Sequence, residues 1–378
     1  MKLDKYVVKS GKKLRLGYTT GSCATAAAKA GAIMILTGQP LDSVRITTPA
    51  GMTLELDIED VTLLKDEVSC CVIKDGGDDP DVTDGIKIFA AVRRADRDIK
   101  IEGGAGVGRV TKKGLPCKVG QAAINPVPMR TIKEALLEVS RERKYKKGFK
   151  VTITAPDGEK VSERTFNTRL GITGGISILG TTGLVEPMSE AALVDSIKVE
   201  IDMAGVNGAP VLMTPGHYGR HFTENSLGLD SESAVSCSNF IGESLDYLVY
   251  KGIRKALLVG HCGKLVKLAA AVFNTHSRAA DCRNEIFAAH AALSGAGIET
   301  VKSIMEAPTT EAIDAILTEK GLDKKVYPSI LEKIMFNIGY RTKNRIEVEV
   351  IIFSNERGAL MQSEKAALLL EEIKRGVS

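Results

Sequence analysis

Three groups of residues in this 378-residue chain have types and spacing suited to chemistry. The first is the stretch 171–189, G-I-T-G-G-I-S-I-L-G-T-T-G-L-V-E-P-M-S, with five glycines, four hydroxyl side chains before its final serine and one acid, Glu186. Glycine at this density suits neither a helix interior nor a packed strand. It suits backbone N–H groups and hydroxyls laid against a ligand. A linker is the other reading, although Ile172, Ile176, Ile178, Leu184 and Val185 punctuate the stretch with apolar residues that flexible linkers lack. The second group is Lys74 to Gly85, with Asp75, Asp78, Asp79, Asp81 and Asp84. These acids repel one another unless a cation is near. The loop lacks the closing Glu of an EF-hand, and a solvated turn competes with a functional loop. The third is Gly260-His261-Cys262-Gly263-Lys264, followed by Asn274-Thr275-His276-Ser277-Arg278. Imidazole, ammonium and helix N–H groups suit a carboxylate. The spacing is too short for a Walker A loop, and Leu265 stands where a magnesium-binding hydroxyl belongs.

Further loops share this chemistry. Gly17-Tyr18-Thr19-Thr20-Gly21-Ser22-Cys23 feeds an Ala-rich helix, a pattern that serves either plain capping or anion binding. Gly103-Gly104-Ala105-Gly106-Val107-Gly108 does not fit G-x-G-x-x-G. Thr214-Pro215-Gly216-His217-Tyr218-Gly219 follows a short apolar run. The basic run from Arg141 to Lys147 reads as a solvated helix end.

The elements that must position these loops fall into two halves. In the first, alternation predicts strands at Leu54–Ile58, Val68–Ile73, Ile86–Val92 and Phe149–Ile153. Helices are predicted over Ala24–Leu36, stopped by Gly38-Gln39-Pro40, and from a capping box at Thr131–Glu134. Asn125 to Pro128 reads as a rigid extended turn. The half is an α+β domain over residues 1–189. In the second half, 190–378, strands are predicted at Ile197–Ile201, Pro210–Met213, Ala256–Val259 and Ile346–Val350. Helices are predicted at Asn239–Tyr250, after Lys264, and from a Ser363 cap to Gly376. Such alternation implies a three-layer α/β domain with a largely parallel sheet. Ligands bind such sheets outside the carboxyl ends of the strands, where the 216–219 and 260–264 motifs fall.

Composition excludes several classes. At 44% apolar and 26% charged, the chain can bury an ordinary globular core. No apolar run approaches a membrane span, and the N-terminus lacks a signal-peptide core. A net charge of +4 gives no case for nucleic acid. The seven cysteines form no C-x-x-C pair, so neither a disulfide framework nor a structural zinc site is expected, and a cytoplasmic setting follows. A homo-oligomer stays open.

Together, Leu14–Ala24, Lys74–Gly85, Gly103–Val110, Ala123–Pro128, Gly171–Ser189, and Gly260–Lys264 with His276-Ser277-Arg278 resemble the CbiD family over nearly the whole chain, in order. His217, where Asn is commoner, and Asp84, where His is frequent, depart from the family pattern. The resemblance implies a cobalt-precorrin-5B C1-methyltransferase of oxygen-independent cobalamin synthesis, which uses S-adenosylmethionine as methyl donor and a corrinoid whose cobalt arrives with the substrate. It also implies two domains, the second Rossmann-like; the first is open to an S5 domain 2-like fold. On this reading the candidate catalytic carboxylates are Glu186, Asp78 and Asp79, near the sulfonium. The candidate substrate-binding residues are Thr19, Thr20, Ser22, His217, His261, Lys264, His276, Ser277 and Arg278. The donor loops are Gly103, Gly104 and Gly106, and Gly180, Thr181, Thr182 and Gly183. No protein metal ligand is required. Two other classes remain: a small-molecule kinase, because Gly17–Ala28 resembles the phosphate loop of an S5-like kinase, and a non-catalytic corrinoid carrier.

Overall fold

A computed structural model describes residues 3–9, 11–165, 167, 168, 170–230 and 233–376. The fold is mixed α/β, and the chain divides into two compact units that meet between Ser189 and Glu190.

The first unit is built around one buried helix. A hairpin of β1 (Tyr6–Lys9) and β2 (Lys12–Arg15) leads through β3 (Gly17–Tyr18) into α1 (Thr20–Thr37). Fifteen of the eighteen α1 residues are buried. Its alanines allow that, because a small side chain lets sheet and helices approach on all sides. At Gly31 an added Cβ would sit 2.6 Å from a Val92 methyl. Thr19 caps the start, accepting from Ser22 N–H, and Gly38 ends the helix in left-handed geometry at φ 72°. After the β4 (Ser43–Thr47) and β5 (Thr53–Asp57) hairpin come β6 (Glu59–Leu63), β7 (Glu67–Ile73), β8 (Lys87–Ala95) and β9 (Lys100–Gly103). The two-residue strands β10 (Gly106–Val107) and β11 (Arg109–Val110) precede α2 (Pro126–Glu142), β12 (Gly148–Thr154) and the short α3 (Gly158–Ser162). The main sheet runs β6-β7-β8-β12-β9, antiparallel except for the last pair. Val68, Cys70, Val72, Ile88, Ala90 and Val92 turn one face of it to the α1 core. Three further two-residue strands, β13 (Ile172–Thr173), β14 (Gly175–Ile176) and β15 (Leu184–Val185), lie in the glycine-rich stretch.

The second unit starts with α4 (Glu190–Ala204). Next come β16 (Val211–Thr214), α5 (His217–Asn225), β17 (Val235–Ser236), α6 (Ile241–Tyr250) and β18 (Lys255–His261). The one-turn α7 (Cys262–Leu265) and a 3₁₀ segment Val266–Ala270 follow, then α8 (Arg283–Leu293), α9 (Ile298–Glu306), α10 (Thr310–Glu319) and α11 (Asp323–Thr342). The unit ends with β19 (Glu347–Ser354), β20 (Gly358–Gln362) and α12 (Ala366–Gly376). The sheet order is β17-β16-β18-β19-β20, parallel except for the β20 edge. Leu258 and Val350 belong to the core shared with α4, α6, α8, α10 and α11, whereas Val259 and Ile351 belong to a smaller core shared with α12. Both faces of the sheet are therefore covered, which explains its unbroken apolar strands.

Four local expectations differ from this structure. Residues 197–201 form part of α4, not a strand: Val194, Ile197 and Ile201 share a buried face at helical spacing, and the period-2 pattern was coincident with it. Helix α2 starts at Pro126 behind Asn125, so Pro126–Pro128 is its first turn, where proline loses no hydrogen bond. Thr131 lies inside that helix and pairs its hydroxyl with Thr25 at 2.7 Å. The helix after Lys264 starts at Cys262 and stays short, ending at Ala271 in left-handed geometry. Ser363 does not cap α12 with its side chain; its hydroxyl is tied to β19, and the Glu349 carboxylate accepts from Lys365 N–H.

Candidate functional site

In the first unit the glycine-rich stretch folds against the start of α1. Thr20 Oγ1 accepts from Leu179 N–H at 2.9 Å and stands 3.2 Å from the Ser177 carbonyl. Ser22 Oγ donates to Gly183 O at 2.7 Å, and Gly21 N–H donates to Leu179 O at 2.9 Å. Thr19, Thr20 and Ser22 thus meet Gly180 and Gly183, but their hydroxyls are engaged in holding the loop. The α1 N–H groups of Gly21 and Ser22 are likewise taken by Leu179 and Thr19. An incoming phosphate would have to displace those bonds, which removes the basis of the kinase loop. Gly180 has φ +133°, and a Cβ there would lie 2.3 Å from Thr19 Oγ1, so glycine is required by the protein's own backbone. Thr181 and Thr182 face solvent at the tip.

The other glycine-rich loop is occupied by its own neighbours. Gly106 pairs with Gly175 in parallel register, and a Cβ at Gly103 or Gly104 would strike Val107 and Ala122 or Thr154. The close approach that glycine permits here is between two chain segments.

The acidic loop is not free of bases. Arg15 forks onto Asp75, its Nη2 donating at 2.7 Å, and buried Lys74 meets Asp81 at 2.6 Å. Burial raises the Asp81 pKa, but the Lys74 charge and the Thr83 donors outweigh it, and the net shift is downward. Asp84 accepts from Gly76 N–H at 2.7 Å and Asp78 from Arg15 N–H at 2.6 Å. Asp79 accepts from Met188 N–H at 3.0 Å, and Lys9 bridges the Met188 carbonyl and Glu186, the latter at 2.7 Å. The structure therefore brings Asp78, Asp79 and Glu186 into one region, with Lys9 and Arg15 as counter-charges. Asp78 and Glu186 are exposed.

In the second unit the carboxyl ends of β16 and β18 carry the remaining candidates. His217 opens α5 and is exposed. His261 closes β18 and accepts from Gly263 N–H through Nδ1 at 3.1 Å, which puts the neutral ring's proton on Nε2. That atom lies 3.0 Å from Glu311 Oε1, at ion-pair distance but outside hydrogen-bond geometry. Burial raises the Glu311 pKa, yet a backbone N–H, His261 and the Thr309 and Thr310 hydroxyls hold it below the usual range.

A cleft of about 350 Å³ is lined by Asn239, Gly263, Lys264, Lys267, Thr275, His276, Ser277, Asp281 and Arg283. It unites Lys264 with His276 and Ser277. Arg278, next in sequence, is exposed and is not among the lining residues. His276 Nδ1 accepts from Arg278 N–H at 3.0 Å. Lys264 donates to the Asn239 carboxamide at 2.9 Å. Among the described residues it meets no carboxylate. Burial lowers its pKa, and nearby Lys267 adds like-charge repulsion. Asn239, Lys267, Asp281 and Arg283 are cleft residues that sequence reasoning missed. Lys267 carried a signal, since it follows Lys264 at i+3 and so shares its side of a helical turn; the others are joined only by the fold.

Comparisons with known proteins bear on the whole chain. The sequence model of the CbiD family matches residues 7–187, and that of the CbiD C-terminal domain matches residues 274–364. A protein named cobalt-precorrin-5B C(1)-methyltransferase from Ruminiclostridium cellulolyticum is 54% identical, over 93% of this chain and 92% of its own. One of the same name from Alkaliphilus metalliredigens is 44% identical over 98% of both chains. A crystal structure described as the cobalamin biosynthesis protein CbiD from Archaeoglobus fulgidus is 30% identical, covers 72% of this chain and 86% of that one, and superposes with a TM-score of 0.40. Similarity at this level over nearly the full length identifies the chain as a member of the CbiD family.

Proposed function

We propose that this protein transfers a methyl group from S-adenosylmethionine to carbon 1 of cobalt-precorrin-5B, in cobalamin biosynthesis. Close relatives bearing that methyltransferase name support the reaction. The observation that carries the substrate class is Lys264, a half-buried cleft ammonium whose one hydrogen-bond partner among the described residues is neutral. A buried cation without a counter-charge is costly. The acetate and propionate carboxylates rimming a corrin precursor would supply one.

The step balances simply. An electron-rich ring carbon attacks the sulfonium methyl; the C–C bond forms as the C–S bond breaks, and the sulfur keeps that pair as a neutral thioether. The ring yields one proton. The protein's part is to hold the two reactants in line, where proximity supplies much of the rate. We assign the sulfonium's neighbourhood to Asp78, Asp79 and Glu186, and the donor's contacts to the loop Gly180–Gly183, of which Thr181 and Thr182 are exposed. We assign carboxylate recognition to Lys264, His276, Ser277 and Arg278, with His217 and His261 at the same sheet edge. Thr19, Thr20 and Ser22 act by seating the loop. We read the second unit as Rossmann-like and the first as an α+β domain of S5 domain 2-like type. Cobalt is cargo of the substrate. The seven free cysteines support a reducing, cytoplasmic setting. Among the described residues no helix is long and apolar enough to cross a membrane.

The test is incubation with both reactants and mass analysis of the product. A corrinoid heavier by one methylene, with the demethylated donor, is expected. Tight corrinoid binding without transfer would make the protein a carrier.

A further inference from the structure

The cleft of the second unit contains an ion pair that the proposed reaction does not use. Asp281 and Arg283 flank the start of α8, and the guanidinium donates to both carboxylate oxygens at 2.7 Å. On its other side Asp281 lies 3.9 Å from the Lys267 ammonium. Lys267 is buried, and two of its donors go to the carbonyls of Ala280 at 2.8 Å and Thr275 at 3.3 Å. Among the described residues its remaining donor has no bonded partner, since 3.9 Å is an ion-pair contact beyond hydrogen-bond reach. Asp281 is the single acid among the lining residues, set against Lys264, Lys267 and Arg283. It stands on a segment without regular structure, and its side chain is 44% exposed.

These features are uneven. The two lysines are fixed by burial and by neutral oxygens, and Arg283 is part of a helix. The carboxylate that meets Arg283 and Lys267 is the more exposed member, held by its bonds to Arg283 and not by burial. A partly exposed pair of this kind is worth on the order of 1 kcal/mol, and a substrate carboxylate taking the same donors replaces its bonds one for one, so the exchange costs little. A side chain on irregular backbone can also swing aside without breaking a helix or strand.

We propose that Asp281 holds the place of a substrate carboxylate: the cleft has two carboxylate positions, one open at Lys264 and Asn239, and one at Lys267 and Arg283 that Asp281 fills until the ligand displaces it. This rests on the assignment of the cleft to an acidic macrocycle, and adds Lys267 and Arg283 as ligand-binding residues with Asp281 as their internal competitor. Competition sets specificity. A monocarboxylate satisfies itself at Lys264 and gains nothing by displacing Asp281. A ligand with two carboxylate arms at suitable spacing gains a second charge-assisted contact, so the cleft selects for polycarboxylates.

The experiment is a fluorescence titration of the full chain with uroporphyrin, a tetrapyrrole bearing an acetate and a propionate on each ring. The variants are Asp281→Asn and Asp281→Ser, with melting temperatures as a fold check. Both should bind the probe more tightly than the parent, by up to about fivefold at low salt, because an internal competitor of about 1 kcal/mol is gone. The gain should shrink as salt rises. Lys267→Gln should weaken binding and abolish the gain when combined with Asp281→Asn. Unchanged or weaker binding in both folded Asp281 variants would overturn the proposal and leave Asp281 as a clamp that orients Arg283. Absence of probe binding to parent and variants alike would also overturn it. Methyl transfer by the parent, assayed separately, distinguishes the two failures. Transfer with no gain in the variants removes only the role of Asp281; a gain without transfer keeps the cleft and removes the reaction.

Discussion

Thr20 anchors Leu179 to the start of α1 in the first unit. Leu179 N–H donates to Thr20 Oγ1 at 2.9 Å, and the Leu179 carbonyl accepts from the next residue of the helix, Gly21, at 2.9 Å. The helix N-terminus and the glycine-rich stretch are therefore one structural element. Thr20→Val keeps the shape and removes the hydroxyl, leaving Leu179 N–H without its partner. A loss of about 1–3 kcal/mol is expected, measured by chemical denaturation. Gly180→Val should go further, because φ +133° and the 2.3 Å approach to Thr19 Oγ1 both exclude a side chain. Faster proteolysis at the 177–184 loop checks that. A Gly180→Val protein as stable as the parent would mean the loop is not seated as described.

A second prediction concerns the acidic loop. Lys74 is buried and its carboxylate partner is Asp81. Asp81→Asn leaves the ammonium buried without a counter-charge, and should cost about 3 kcal/mol. Lys74→Met in the same chain should restore much of the loss. The pH dependence has a definite sign. The folded-state pKa of Asp81 lies below its ordinary 3.8. Its contribution is thus complete above that value and disappears as pH falls through the lower folded value. The parent should lose more stability on acidification than Asp81→Asn does.

Much of this was legible in the sequence, for physical reasons. The helix α1 could be read because alanine, a hydroxyl cap and a terminal Gly act locally. Strands β5, β7, β8 and β12 could be read because one face of each is buried, which imposes alternation. Helix α4 was misread because Ile197, Val199 and Ile201 satisfy period 2 over five residues, and only Val194 and the outer turns reveal the longer period. The counter-charges of the acidic loop were not legible at all: Arg15 reaches Asp75 from sixty residues away. Nor could sequence tell that Gly106 pairs with Gly175 and lies against the Ala155 carbonyl, since glycine looks the same whether a ligand or another segment approaches it.

His261 yields a spectroscopic prediction. Its Nδ1 accepts from Gly263 N–H, so the neutral ring should carry its proton on Nε2. Nitrogen chemical shifts of ¹⁵N-labelled histidine should show that tautomer. His261→Asn, whose carboxamide oxygen can accept at the same cap position, should keep the turn into α7; His261→Leu should lose it. A His261 signal of the Nδ1–H form would contradict the geometry.

For Lys264 the prediction joins charge to pH. Lys264→Ala should weaken corrinoid binding about ten- to a hundredfold, the cost of one charge-assisted contact of about 1.5–3 kcal/mol, and reduce its salt dependence. Burial holds the free enzyme's Lys264 below the ordinary 10.5. A bound carboxylate favours the protonated form, so binding should take up a proton, and affinity should decline with rising pH from a point below 10.5. Lys264→Ala should flatten that decline. A parent protein whose affinity is constant up to the ordinary lysine range would remove Lys264 from the contact.

The most direct measurement follows the methyl group itself. The protein is incubated with cobalt-precorrin-5B and S-adenosylmethionine carrying ¹³C in its sulfonium methyl, and the corrinoid product is examined by mass spectrometry and ¹³C NMR. The account predicts one labelled methyl bonded to carbon 1 of the macrocycle and an equal amount of S-adenosylhomocysteine. A corrinoid recovered without label, or labelled at another ring carbon, would contradict it.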